Sequence, residues 1–183
     1  VGSEMCIRDR DIKMADETNT ATEPEQQSAA PANAFQLERC YMKDASLEMP
    51  HAPELFVTPL QQQPTVDMQF EVSIKKLDDA HREVTVRATV TIKADQNVLL
   101  LAEVKQAGIF QIRGFNDEQM AHIGNVICPT IVYPYLRANV ADLITRTTMA
   151  PVNLPEMNFE MLYQQRLAQQ AATADQAKAQ EQN

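Results

Sequence analysis

Two stretches of this chain alternate strictly between apolar and polar residues. In residues 66–75, Val66, Met68, Phe70, Val72 and Ile74 fall on one parity and polar side chains on the other. Residues 84–92 repeat the pattern with Val84, Val86, Ala88, Val90 and Ile92. A period of two held over that length predicts strands with one face buried and one face wet. The link between them, with Leu77, Asp78, Asp79, Ala80 and His81, suits a hairpin loop.

Two flanking strands follow a less regular pattern. Residues 35–48 carry Phe35, Leu37 and Tyr41 on one parity but Cys40 and Met42 on the other, so both faces are expected to be partly covered. Residues 98–112 begin as a continuous apolar run, which fits a central strand, after a short turn at residues 94–97. Four strands with mostly short links imply an antiparallel meander. Residues 49–65, with Pro50, Pro53, Pro59 and Pro64, predict an irregular crossover.

Beyond Gly114 the texture turns helical. Asn116-Asp117-Glu118-Gln119 has the chemistry of a helix start, and Cys128-Pro129 opens a second stretch with proline in its first turn. Ile131, Leu136, Val140, Leu143 and Ile144 fall near helical spacing, with Pro134 expected to kink the helix or delay its start. Residues 151–155 read as an extended link. A last helix opens at Asn158, with Phe159, Leu162, Tyr163 and Leu167 along one side. The fold class is therefore α+β. The folding unit is expected over residues 35–168, with an N-terminal tail at 1–34 and a flexible polar tail at 169–183.

Composition narrows the possibilities. Residues 15–33 hold almost nothing apolar and predict disorder. Residues 1–13 differ from the rest of that tail, and Met14 resembles a natural start, so the first thirteen are expected to be non-native. A net charge of -9 and a pI of about 4.8 argue against a nucleic-acid partner, which would need clustered Lys and Arg. The odd cysteine count, Cys6, Cys40 and Cys128 with no CxxC pair, argues against a disulfide framework and for a reducing, cytoplasmic setting. The longest uncharged apolar run, residues 98–102, is strand length, so no membrane insertion is expected.

Catalytic chemistry is hard to write. With only Gly108, Gly114 and Gly124 in the folding unit, no glycine-rich nucleotide loop is possible. His51, His81 and His122 are far apart, and none pairs with another ligand at metal spacing. His122 reads as a ligand or as a hydrogen-bonded packing residue, the second being commoner. Cys128 reads as a nucleophile or as small core filler, and its Val-Ile-Cys-Pro setting favours filler. Ser46 and Ser73 sit in strand patterns, not on a nucleophile turn. No enzyme, metal or cofactor is expected. What remains is a set of carboxylates: Asp44 and Glu48 share a face, and Glu103 interrupts an apolar strand. They make either a solvated sheet face or an acidic docking surface.

Several segments, in order, resemble the SecB family. They are Phe35-Gln-Leu-Glu-Arg-Cys-Tyr-Met-Lys-Asp44-Ala-Ser-Leu-Glu48 with Met-Pro50-His-Ala-Pro53, then Glu103-Val-Lys-Gln-Ala-Gly108-Ile-Phe110 and Gln119-Met-Ala-His122. Cys128-Pro-Thr-Ile-Val-Tyr-Pro134-Tyr135-Leu-Arg137 and Pro151-Val-Asn153-Leu complete the match, which spans residues 35 to about 170. The resemblance implies a four-stranded antiparallel sheet with two main helices packed on one face, assembled as a homotetramer, a dimer of dimers. It implies a cytosolic chaperone that binds unfolded preproteins without ATP and delivers them to the ATPase SecA.

Residue by residue, the resemblance implies SecA contacts at Asp44, Glu48, Leu101 and Glu103. SecA's zinc-bearing tail is basic, which suits an acidic face. The client groove is implied to run between the second strand, the crossover and the last helix, with Met68, Phe70, Leu100, Tyr163 and Leu167. Met68, Phe70 and Leu100 are read equally well as core. Nine methionines suit adaptable binding only slightly better than they suit a core. The crossover departs from the family: residues 57–64 are about two residues longer and lack its usual tryptophan, which puts one groove wall in doubt. A generic oligomeric adaptor, or a chaperone dedicated to a toxin–antitoxin pair, is the competing reading.

Overall fold

The computed structural model describes residues 33–94 and 96–181, with side chains described through residue 171. The expectations for residues 1–32 lie outside the described residues. Four strands, β1 (Ala34–Glu48), β2 (Thr65–Lys76), β3 (His81–Ala94) and β4 (Asn97–Arg113), form one antiparallel sheet in the order β1-β4-β3-β2. The alternating segments are β2 and β3, and β2, β3 and β4 form a meander. The fourth member corrects the expected topology, since β1 pairs with β4 and not with β2. A simple meander would leave β4 at an edge, with its apolar run and its backbone groups unpaired on one side. The proline-rich crossover, with a 3-10 turn at Glu54–Phe56, is long enough to carry the chain across the sheet instead.

The mixed parity of β1 has a local cause. Its pairing with β4 skips one residue at Glu38 and again at Lys43, two bulges that each reverse which parity faces inward. Opposed residues share a face, so the register puts Phe35 and Leu37 with Ile112 and Phe110 on the inner side. Cys40 and Met42 then follow, and after the second bulge Ala45 and Leu47, opposite Val104 and Ala102. One continuous inner face results from apolar residues spaced two, three, two, three and two apart.

The helical layer covers that inner face. The Asn116 side chain accepts a hydrogen bond from the Gln119 backbone amide at 2.8 Å, and the Gln119 side-chain oxygen accepts one from the Asn116 backbone amide at 3.1 Å. This capping box starts α1 (Asp117–His122), which continues through a wider π-type turn, Ile123–Ile127, into α2 (Cys128–Thr145). The helix passes through Pro134, so the start is not delayed to that residue. Cys128, Val132, Tyr133, Leu136, Val140 and Ile144 of α2 are buried against a sheet core of Val84, Val86, Val90, Leu100, Val104, Phe110 and Ile112.

Gly108 permits the close approach of helix and sheet. A Cβ there would lie 2.6 Å from Phe110 Cε2 and 3.0 Å from Val132 Cγ2. A part-buried polar chain ties three elements, with the Asn139 amide donating to Gln106 Oε1 at 2.7 Å and the Gln106 amide donating to Cys40 Sγ at 3.3 Å.

The last helix, α3 (Phe159–Glu181), starts at an Asn158 cap that accepts from the Met161 amide at 3.0 Å. Phe159 packs edge-on against Tyr133 with centroids 5.4 Å apart, and Phe70 does so from β2 at 6.0 Å. The Tyr133 hydroxyl donates to the Pro155 carbonyl at 2.5 Å, which fixes the extended link to α2. The expected polar tail from residue 169 is helical to Glu181. Its Ala and Gln are good helix formers although they supply no apolar stripe.

At the β2–β3 turn, His81 Nδ1 lies 2.8 Å from an Asp78 carboxylate oxygen and His81 Nε2 lies 3.3 Å from Glu38 Oε1. The Asp78 hydrogen bond, and then Glu38, raise the His81 pKa, while the same bond holds Asp78 down at about 2. A raised imidazole pKa contributes stability that is present below the ordinary histidine range and lost as pH rises through the elevated value. The melting temperature is therefore expected to decline as pH rises from the ordinary histidine range through the elevated value, and His81→Gln to flatten that decline. Thermal scans of both proteins across that range check it.

Candidate functional site

The outer face of the sheet carries the four residues that the sequence nominates for docking. Register sets Glu48 opposite Leu101 and Ser46 opposite Glu103, with Asp44 opposite Lys105. Asp44, Glu48, Leu101 and Glu103 thus share one patch where β1 meets β4. The patch is not bare acid. Lys105 Nζ reaches Asp44 at 2.9 Å and Glu103 at 3.1 Å. Arg87 Nη1 lies 3.6 Å from Glu103, and Arg87 Nη2 lies 2.5 Å from Glu71. The Thr89 hydroxyl donates to Glu103 at 3.3 Å.

The Lys105 hydrogen bond and charge hold the Asp44 carboxyl below its ordinary range. Glu48 is exposed, and among the described residues it forms no ion pair. The sequence reading missed Arg87 and Lys105. The signal was present, since Lys105 follows Glu103 by two residues and must share its face.

The residues nominated for the client groove do not form one groove. Tyr163 and Leu167 line a cleft of about 910 Å³ between α3 and the α1–π segment, with Phe115, His122, Ile123 and Ile127. Phe70 lies on the other flank of α3, in a second cleft of about 360 Å³ with Val72, Met157, Phe159 and Leu162. Met68 is half-buried beside it on β2. Leu100 is a correction. It is 0% exposed, because it belongs to the inner parity of central β4 beneath the helical layer.

The crossover adds a smaller cavity of about 260 Å³ lined by His51, Leu55, Leu60 and Leu99 among others. Residues 57–64 lack an aromatic, but Phe56 immediately before them is 55% exposed and Val57 is 81% exposed. Sequence periodicity does not find these residues, because a loop has no period.

His122 and Cys128 are both engaged within the fold. His122 Nε2 pairs with Glu160 at 2.7 Å and its ring stands edge-on to Tyr163 at 6.1 Å. The Glu160 carboxyl is held low by its hydrogen bond from Gln164 and then by His122. Cys128 is fully buried, and desolvation pushes its thiol up to about 12, so at neutral pH it is no thiolate nucleophile. Among the described residues no group of three or more His, Cys, Asp or Glu could hold a metal ion, and no helix is long and apolar enough to cross a membrane.

The described residues thus form a polar, ion-paired outer sheet face backed by a helical layer with apolar clefts. The family model for preprotein translocase subunit SecB matches residues 26–170. The chain belongs to the SecB family of protein-export chaperones, which are not enzymes. The protein-export protein SecB of Bordetella avium is 46% identical over 152 residues, covering 83% of this chain and 87% of its own length. That of Ralstonia nicotianae is 50% identical over 134 residues, covering 73% and 76%. Among solved structures, a Mycobacterium tuberculosis SecB-like chaperone in complex with an antitoxin peptide superposes with a TM-score of 0.55 at 22% identity, over 67% of this chain and 90% of that one. That likeness is one of fold.

Leu100 and Tyr163 separate core from cleft. Leu100→Ala is expected to cost about 2–5 kcal/mol by denaturant unfolding and leave client affinity per folded chain unchanged. Tyr163→Ala is expected to weaken binding of an unfolded client severalfold, with the melting temperature nearly constant.

Proposed function

We propose that this protein holds unfolded preproteins in the cytoplasm without nucleotide and passes them to SecA. The observation that carries the reading is the separation of two surfaces. The apolar clefts flank α3 on the helical side, whereas Asp44, Glu48, Leu101 and Glu103 lie on the opposite face of the sheet. Client and motor would then bind at once, which a handover requires.

Holding needs reversible burial of many different apolar segments. Shallow clefts walled by Phe70, Leu162, Tyr163 and Leu167 offer such surface without a shape-specific pocket. No step makes or breaks a covalent bond, so no energy source is needed until the motor acts. On the sheet face, Glu48 and Leu101 would meet the partner first. Its basic groups would then compete with Lys105 and Arg87 for Asp44 and Glu103, which favours orientation and on-rate over raw affinity.

The surface of α2 supports an oligomer. Its sheet-facing side is buried, yet Tyr135 and, at the end of the preceding turn, Ile127 are 51% and 38% exposed, and Ile131 and Leu143 are half-covered. Apolar side chains on a second side of this segment support a homotetramer built as a dimer of dimers. Light scattering at micromolar concentration is expected to give four chains, and a monomer would refute the assembly.

Two measurements test the function. The purified protein is expected to keep a denatured preprotein soluble with no nucleotide present. Glu48→Lys and Asp44→Lys are each expected to weaken SecA binding about tenfold at low salt while client holding persists. Unchanged affinity in both variants would remove the docking role, and failure to hold the client would remove the chaperone role.

A further inference from the structure

Every second residue of a regular strand faces the same way, so the outward Tyr41 would be followed outward by Lys43, Ala45 and Leu47. Asp44, Ser46 and Glu48 would then turn inward, toward Val104 and Ala102. Their outward facing exists because Lys43 is an extra residue, skipped in the pairing between Met42–Gln106 and Asp44–Lys105. The bulge lies on β1, an edge strand, where local pairing is weakest.

Something holds that bulge from two strands away. Glu83 of β3 is 7% exposed on the outer face, an unusual burial for a carboxylate. Its Oε1 accepts from the Tyr41 hydroxyl, and its Oε2 accepts from Lys43 Nζ at 2.6 Å. Between them β4 presents Ala107, 0% exposed, and Ile109, so the two β1 side chains reach over a methyl group to the carboxylate. Lys75 of β2, opposite Glu83 in register, also faces it, and Arg39 of β1 shares the outer face across Ile109.

Charge-assisted bonds to both oxygens are the strong kind, and they hold the Glu83 carboxyl low while pushing the Tyr41 phenol up to about 12. The other bulge is tied in the same manner with the charges exchanged, its extra residue Glu38 meeting His81 of β3 at 3.3 Å.

We infer that Glu83 is a positioning residue for the docking patch: through Lys43 and Tyr41 it pins the β1 bulge that turns Asp44, Ser46 and Glu48 outward. The role rests on the docking function proposed for that patch, but the pinning itself can be read without a partner. Asp44 owes its low carboxyl pKa first to Lys105, which it meets only in the bulged register.

The test uses the full chain with Glu83→Leu, Glu83→Gln and Tyr41→Phe, reading the Asp44 carboxyl titration by NMR, SecA affinity, client holding and melting temperature. In Glu83→Leu the Asp44 titration is expected to move up toward the ordinary carboxylate range. SecA affinity is expected to fall at least about fivefold, with client holding within about twofold. Glu83→Gln, which keeps an acceptor for Tyr41 but loses the Lys43 charge, is expected to fall between. If Glu83→Leu does not fold, Glu83→Gln and Tyr41→Phe carry the same readouts.

An unmoved Asp44 titration in the folded variants would overturn the inference, because the inward pull on Ala45 and Leu47 would then fix the facing alone. An equal loss of client holding and melting temperature would overturn it too, leaving Glu83 a general stabiliser. A shifted Asp44 with unchanged SecA affinity, in a protein where Glu48→Lys is also without effect, would uphold the pinning and sink the docking reading instead.

Discussion

The packing of α2 against the inner faces of β3 and β4 removes Leu100, Val104, Phe110, Val132, Leu136, Val140 and Ile144 completely or almost completely from water. Each such side chain contributes about 1.5–3 kcal/mol of transfer free energy. Because strand side chains alternate, burying one parity leaves the other on the solvent side. Glu103, Lys105, Arg87 and Thr89 are outward-facing for the same reason that Ala102, Val104 and Ala88 are inward. The polar face and the apolar layer are two results of one constraint.

The same constraint limits where charge can sit. On the outer face the charges interlock: Asp44 with Lys105, Lys105 with Glu103, Glu103 with Arg87, and Arg87 with Glu71. Exposed pairs of this kind add little to stability individually, typically about 0–1 kcal/mol. Their consequence is geometric, since a network spanning all four strands presents its carboxylates in a fixed arrangement. A carboxylate such as Glu48, at the margin of that network, is the most available to a basic partner.

The helical side is built differently. α3 meets the rest of the fold chiefly through Phe159 and Leu162. A helix anchored along one narrow line leaves a cleft on each flank. One is closed by α1 and the π-type turn, the other by the edge strand β2. Gly124 brings that turn against β2, since a Cβ there would lie 2.8 Å from Ile74 Cδ1. The clefts are therefore a by-product of sparse anchoring, which suits the proposed holding of many apolar segments.

Much of this was legible in the chain itself. Period-two alternation identifies β2 and β3, the Asn116 and Asn158 caps begin the helices, and the spaced motifs of β1, β4 and α2 carry the family. The sheet order was not legible, because β1 and β4 pair residues from 53 (Glu48 with Leu101) to 79 (Ala34 with Arg113) positions apart, a contact that leaves no local signature. Nor was the facing of Asp44 and Glu48 secure until the bulges at Glu38 and Lys43 were known, since one extra residue inverts a strand's parity. Leu100 illustrates the converse: its apolar character suits core and client groove equally, and only the helical layer above it decides for core. The sequence by itself determined which segments are strands and helices, because hydrophobic period and capping are local. The tertiary structure decided which apolar residues remain open and which carbons lie under the ion pairs, because burial depends on what folds over each residue.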